Sequence, residues 1–253
     1  MRALLVILLF LGPALARAET VVLGLSRDKV SITTSFNGSE ILVFGAVKRE
    51  EPIPEGPPLQ VIVTVAGPIE QVAVRRKSKT FGIWINTAMV TVDEAPSFYA
   101  VATTGPMNEV LSQVEDLRHR ITIGRAIRSV GAPSDIDDSA HFTEALIRIR
   151  EKQKLYQHLE GEVALDEQTL FRTAISLPAN LTEGEYSTRI FLTRGGKVIS
   201  GYDTTIDVRK VGMERWLFAL SREQPMFYGI LSLAIAIFAG WGASAVFRLL
   251  RNS

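Results

Sequence analysis

Three histidines, His119, His141 and His158, are the side chains of this chain best suited to hold a transition metal. A zinc site gathers three or four ligands, and ligands on one helix recur three or four residues apart. The separations here, 22 and 17 residues, match no such pattern. Solvated or helix-end histidines are expected, and a metal is not. Asp135, Asp137 and Asp138 resemble the start of a calcium loop, but the glycine and the closing glutamate of an EF-hand are missing. Placed after Ser134, these acids instead suit a helix N-terminus, where negative charge meets the positive end of the dipole. No Gly-x-Ser-x-Gly elbow presents a serine nucleophile. Gly195-Gly196 precedes a strand-like run rather than a helix start, so it does not cradle phosphate. With no cysteine in 253 residues, thiol nucleophiles, thiolate zinc, iron–sulfur clusters and disulfides are excluded together. The expectation is a protein that is not an enzyme and carries no cofactor.

Two groups of side chains remain as candidate contact sites. Arg75, Arg76, Lys77 and Lys79 form a basic cluster between two strand-like runs, suited to lipid headgroups or an acidic partner, or simply solvated in a hairpin loop. Trp84, in Phe81-Gly82-Ile83-Trp84-Ile85-Asn86, could line a pocket but is expected in the core. Near the C-terminus, Ala236, Gly240 and Ser244 recur every four residues with Ala239 and Ala243 beside them. Such a small-residue stripe permits close helix approach inside a membrane.

The elements that must position these residues are mostly strands. Residues 21–25, 30–34, 40–47, 59–66, 71–76, 80–86 and 97–103 are short runs rich in Val, Ile, Thr and aromatics. Asn37-Gly38, residues 52–58 and Gly67-Pro68 punctuate them. This spacing suggests a sandwich or barrel rather than a parallel sheet, which needs a helix between strands. After Gly105-Pro106 the period becomes helical, with Leu111, Val114, Leu117 and Ile121, then Phe142, Ala145, Leu146, Ile149 and Tyr156 in a segment opening at Ser134. Strand signals resume over 162–165, 169–177, 185–193, 197–200 and 204–211, and Gly195-Gly196 reads as a hairpin turn. Leu181-x-x-Gly184-x-Tyr186 matches a tyrosine corner, in which the hydroxyl bonds back to nearby backbone. The expected fold is mainly β: an immunoglobulin-like Greek-key β-sandwich with an α-helical insertion, followed by one C-terminal transmembrane helix.

Both ends read as membrane segments. Residues 1–18 have a basic start at Arg2, an apolar run over 3–11 and small residues at Ala16 and Ala18, the three parts of a cleaved secretory signal. The uncharged stretch 226–247 is long enough to span a bilayer, with Pro225 at its start and Phe227, Tyr228 and Trp241 as interfacial anchors. Arg248 and Arg251 follow at once and mark the inner side. The implied divisions are 1–18 signal peptide, 19–104 first part of the sandwich, 105–160 helical insertion, 161–212 second part, 213–225 juxtamembrane amphipathic segment, 226–247 transmembrane helix and 248–253 tail. The formal charge of +1 hides an asymmetry. Without Arg2 and Arg17 the 28 bases become 26 against 27 acids, and without Arg248 and Arg251 they become 24, so the exported body carries −3. Nothing in this balance calls for nucleic acid.

Residues 36–47 (FNGSEILVFGAV), 81–86 (FGIWIN), 96–100 (PSFYA), 170–186 (LFRTAISLPANLTEGEY) and Tyr228-Gly229 carry a resemblance along nearly the entire chain. The chain resembles the putative transmembrane protein family of alphaproteobacteria. That resemblance implies the bacterial inner membrane, a periplasmic N-terminal domain and a cytoplasmic C-terminus, and it brings no catalytic residues. Under it the sequons at Asn37 and Asn180 are accidental. The expected role is a membrane-anchored periplasmic interaction or scaffold protein. Its expected partners are the lipid bilayer and a membrane protein, a transporter or envelope complex, with a homo-oligomer also allowed. The alternative is a periplasmic small-ligand-binding or sensor module using a cleft between sandwich and insertion.

Overall fold

The computed structural model of the chain describes residues 20–25, 29–32, 38–49, 52–53, 56–129, 139–210 and 220–251. The expected signal peptide, the acidic helix start at 134–138, Asn37 and most of the 213–225 segment lie outside the described residues. Described residues up to 30 and from 38 to 208 form one compact body, and those at 31–32 and from 209 onward belong to a second unit.

Strand-period sequence builds the body, which is mainly β. In β10 (Leu170–Leu177) Phe171, Thr173, Ile175 and Leu177 are buried while the residues between them are exposed, the alternation of a sheet with one wet face. It pairs with β3 (Ser39–Lys48) and β9 (Ala164–Asp166), and β3 pairs with β1 (Thr20–Leu25), in an antiparallel sheet ordered β1-β3-β10-β9. The second sheet contains β2 (Lys29–Ile32), β4 (Leu59–Ala66), β7 (Tyr99–Thr103), β8 (Tyr156–Glu160), β11 (Gly184–Arg194) and β12 (Lys197–Lys210), ordered β2-β12-β11-β4-β7-β8. Its central strands β4 and β7 are nearly continuous apolar runs because both of their faces are covered.

β7 and β8 pair in parallel, which the strand spacing did not lead one to expect. Parallel neighbours need a long crossover. The helical insertion is that crossover, carrying α1 (Met107–Val110), α2 (Gln113–His119), α3 (Ile123–Ala126) and α4 (Ser139–Lys152). Tyr156, expected on a helix, is in β8 opposite Tyr99. The helical period read through Leu111, Val114, Leu117 and Ile121 is broken at two points. Ser112 caps α2 by accepting from Glu115 N at 3.4 Å, and Arg120 ends it at φ 51°. Each break resets the phase, so Leu111 and Ile121 are buried outside any helix while Val114 and Leu117 face solvent.

The C-terminal half of the body follows its turn chemistry. Gly195 and Gly196 have φ of 56° and 76°, the positive values a two-residue hairpin needs. Gly196 also lets the backbone approach closely enough for Ser112 N to donate to its carbonyl at 2.8 Å. β12 runs unbroken where two strands were expected, and a register shift at Leu192/Thr193 absorbs the irregularity. The tyrosine corner forms as expected: Tyr186 is fully buried, and its hydroxyl donates to Thr182 O at 2.8 Å.

β5 (Ile69–Thr80) and β6 (Ile83–Pro96) make a separate two-stranded ribbon. It continues the β4–β7 pair outward, because Gly67 N donates to Phe98 O and Ser97 N to Pro68 O, each at 2.8 Å, at the join. In the second unit α5 (Pro225–Arg251) is a single helix. Its stretch Pro225–Ser244 has a mean hydropathy of 1.8 and none of it is buried, so it is long and apolar enough to cross a membrane.

Candidate interaction surfaces

The basic cluster does not sit in a loop. Arg75, Arg76, Lys77 and Lys79 all lie within β5, because the ribbon is longer than expected and turns only at Phe81-Gly82. Strand alternation then separates them. Arg76 faces the side of Val74, which is buried, and its guanidinium lies 5.3 Å from the ring centre of Phe142 on α4. Arg75, Lys77 and Lys79 share the opposite face, all exposed, with Met89 across from Arg75 and Trp84 across from Lys79. Among the described residues none of these three cations has an ion-pair partner.

The base of the ribbon is braced and its tip is not. At the base Val74, Val90 and Val92 are buried, Arg150 of α4 reaches Glu70 at 3.3 Å, and Arg128 reaches Glu94 at 3.4 Å. A register shift between Arg76 and Lys77 then leaves Thr87 as an extra residue, its hydroxyl 3.3 Å from Arg76 O. Such a bulge raises the local twist where the strand pair leaves its support. Beyond it, Ile83 and Ile85 occupy one face and Trp84 the other, all exposed, with Phe81 wholly exposed at the apex. Trp84, expected in the core, is 68% exposed. Leaving a large apolar side chain in water forgoes about 1.5–3 kcal/mol, so four together at one tip are not an incidental surface feature. The charge alternation across Arg75, Lys77 and Lys79 was the available signal, since a strand with a cation at every second position cannot be buried on that face, nor can the residue paired with it.

The turn itself carries strain. Phe81 has φ 52° and Gly82 φ 87°, the pattern of a type I′ turn, whose first position favours Asn, Asp or Gly. A bulky residue there is an outlier, and this one makes no compensating contact within the ribbon's exposed end.

The crossover concentrates buried charge, and it spends that charge on structure. Asp116 Oδ1 accepts from Ile121 N at 3.1 Å and Thr122 N at 2.8 Å, and Oδ2 accepts from the Thr122 hydroxyl at 2.8 Å. Arg189 of β11 donates to His119 O at 2.9 Å and Arg120 O at 3.1 Å, placing a cation at the C-terminal end of α2. Tyr99, beneath it, donates to Ile121 O at 2.7 Å. Burial pushes its hydroxyl pKa up, against the opposing pull of Arg189. These groups tie the crossover to the sheet. The three histidines stay apart: His119 is 3.4 Å from Glu115, and His158 is 3.6 Å from Glu151. Among the described residues no three metal-ligating side chains come together.

Open hollows lie among the described residues of the body. A polar cleft of about 790 Å³ lies where the crossover meets the sheets, lined by Glu40, Glu151, Lys154, Tyr156 and His158 among others. An apolar groove of about 630 Å³ lies on the outer face of the first sheet, with Val22, Leu42, Phe44 and Leu170 exposed along it.

On α5, helical geometry puts Ala236, Gly240, Ala243 and Ser244 on one side, with Phe238 opposite and Trp241 at the border between them. All four small residues are exposed, and a Cβ built on Gly240 would meet no atom within 4 Å.

No curated protein matches the chain. Among solved structures, the crystal structure of Spo0M, a sporulation control protein from Bacillus subtilis, aligns with 12% identity and a TM-score of 0.29, over 81% of this chain and 55% of that one. The chain therefore spans about half the length of that protein. A family model described as "Putative transmembrane protein (Alph_Pro_TM)" matches residues 20–249, from the first described strand almost to the end of α5, and the chain belongs to that family.

Proposed function

We propose that the protein is a non-enzymatic interaction or scaffold protein of the bacterial inner membrane, accessory to an envelope or transport complex. In this reading a cleaved signal delivers the body to the periplasm, α5 spans once, and the tail is cytoplasmic. The body is an immunoglobulin-like Greek-key sandwich, a topology supported by the tyrosine corner at Tyr186 and the β11–β12 hairpin behind it. The observation that carries the reading is the stretch Pro225–Ser244 of α5, uncharged, apolar and with no part buried. A single span without an ionisable residue forms no ion path by itself, so a transport role requires a second membrane protein beside it. The small-residue side of α5 is the natural place for that contact.

Copurification from solubilised membranes, with and without crosslinking, tests this. Intact protein is expected to bring down a second membrane protein, and Gly240→Leu to reduce its recovery about tenfold by losing interhelical packing, with membrane insertion unchanged. Recovery of this chain alone under both conditions would overturn the proposal.

The polar cleft favours a second reading, a periplasmic module for a small anion or metal. Glu40, Glu151, His158 and Lys154 line it with both signs of charge, without gathering into a set of three metal ligands among the described residues. A thermal shift of the protein with divalent metals and oxyanions decides it, since a ligand that binds only the folded state raises its stability. No stabilisation by any of them removes this reading.

A further inference from the structure

We infer that the tip of the β5–β6 ribbon seats in the surface of a bilayer containing anionic lipid, with Phe81, Ile83, Trp84 and Ile85 immersed and Arg75, Lys77 and Lys79 on the headgroups. The inference rests on reading α5 as a membrane anchor, and it adds a second, separate contact made by the body.

The shape of the tip selects this occupant. Phe81 stands at the apex, Ile83 and Ile85 flank it on one face and Trp84 on the other, and all are exposed. A patch on one face would fit a protein surface, whereas a convex end that is apolar on both faces must be surrounded. A bilayer interface surrounds it without needing a matching pocket, and Trp and Phe beside cations are what that interface favours. The charges sit where headgroups would be. Lys79 lies two residues behind Phe81, Lys77 four and Arg75 six, reaching back roughly 20 Å at about 3.3 Å per residue. The long stems of Lys77 and Lys79 can lie along the apolar tip while their ammonium groups reach outward.

Charge complementarity points the same way. The three cations have no ion-pair partner among the described residues. The rest of the body is acidic, since the exported part totals −3 with these cations included. An anionic surface therefore attracts this end and repels the remainder, which orients the body as well as holding it. The base is already fixed by α4 through Arg150–Glu70 and the Arg76–Phe142 contact, so seating the tip orders little that is not ordered beforehand. Phe81 in a left-handed turn conformation is explained too, because the strained position buys an apex that Asn or Gly could not provide. The anchor keeps the body beside a membrane, so even a weak tip contact is populated.

The absence of cysteine makes the test direct. Full-length Thr80→Cys protein, labelled with an environment-sensitive fluorophore, is reconstituted into phosphatidylcholine liposomes with and without phosphatidylglycerol, and quenching by nitroxide-headgroup lipid is measured. Quenching is expected to be strong with phosphatidylglycerol, weak without it, and to fall with salt. Lys77→Gln and Lys79→Gln should each lower the ratio of seated to free tip about fivefold in anionic vesicles. Trp84→Ser should lower it in both lipids without altering the salt dependence. An unquenched label in anionic vesicles that carry the protein overturns the inference, and so does quenching indifferent to these substitutions. A label unquenched in liposomes but protected in native membranes would assign the tip to a protein instead. Flotation of the chain with the vesicles reports on α5 independently. If the chain fails to float, the anchor reading falls, and quenching on added vesicles still decides the tip.

Discussion

Three tyrosines show how single residues hold this body and where it is weakest. Tyr99, Tyr156 and Tyr186 are almost fully buried, and each hydroxyl donates to a main-chain carbonyl, of Ile121, Pro96 and Thr182 respectively. Such a hydroxyl can donate only while the phenol keeps its proton. Burial is the largest influence on all three and raises their pKa values above 10.0, with Tyr156 and Tyr186 each pushed up to about 12. For Tyr156, Arg150 pulls in the other direction without winning. A folded-state pKa above the unfolded one means that the folded protein keeps protons the unfolded chain has lost. The stabilisation is thus complete below pH 10 and declines as pH climbs from 10 toward 12. Stability measured by denaturant melts should be flat up to about pH 9.5 and then fall, with the buried phenols ionising together as the body unfolds rather than before it. Tyr186→Phe should cost about 1 kcal/mol at neutral pH by losing the corner hydrogen bond, and should make the alkaline decline shallower. An unchanged slope in that variant would mean that Tyr186 does not couple to unfolding.

At the scale of elements, local rules were readable wherever one element answers to one signal. The Gly195-Gly196 turn, the alternation of β10, the continuous apolar run of β4 and the uncharged length of α5 each follow from their own residues. The tyrosine corner belongs with them because its partner carbonyl, Thr182, is four residues away. What escaped were features set by distant partners. Trp84 has the composition of a core strand, and only its pairing with Lys79 on an unsupported ribbon puts it in solvent. Arg76 looked equivalent to its neighbours, yet Phe142, some 66 positions along the chain, takes it out of the cluster. Tyr156 continued a helical period numerically, but the edge of β7 captures it as a parallel strand. Val114 and Leu117 failed for a different reason. Ser112 and Arg120 bound a helix of only seven residues, too short for an apolar period to express itself, and the buried positions went to Glu115, paired with Arg118 and His119, and to Asp116, which holds the turn at 121–122. The small-residue side of α5 was legible as a pattern in its own residues.

For the whole molecule, the argument turns on how charge is distributed about α5. Arg248 and Arg251 follow the span with no acid near them, while Lys210, Arg215 and Arg222 stand before it. By basic residues alone the two flanks nearly balance, so the positive-inside preference is weak here. The proposed export signal over residues 1–18 then decides the orientation, because it commits the 200-odd residues that follow to crossing first. The proposed roles depend on this outcome: an acidic body outside, a ribbon tip facing a bilayer or partner there, and a short basic tail inside. Two single-cysteine proteins read it directly in a chain that has no other thiol. In spheroplasts, Asn180→Cys, in an exposed turn of the body away from the ribbon tip, should react with a membrane-impermeant maleimide, whereas Asn252→Cys should react only after the membrane is permeabilised. Replacing Arg248 and Arg251 by Gln should leave that pattern intact if the signal dominates. If the flanking charges dominate, the same change should give mixed labelling. Reaction at position 252 in intact spheroplasts, with position 180 protected, would place the body in the cytoplasm and remove the periplasmic role altogether.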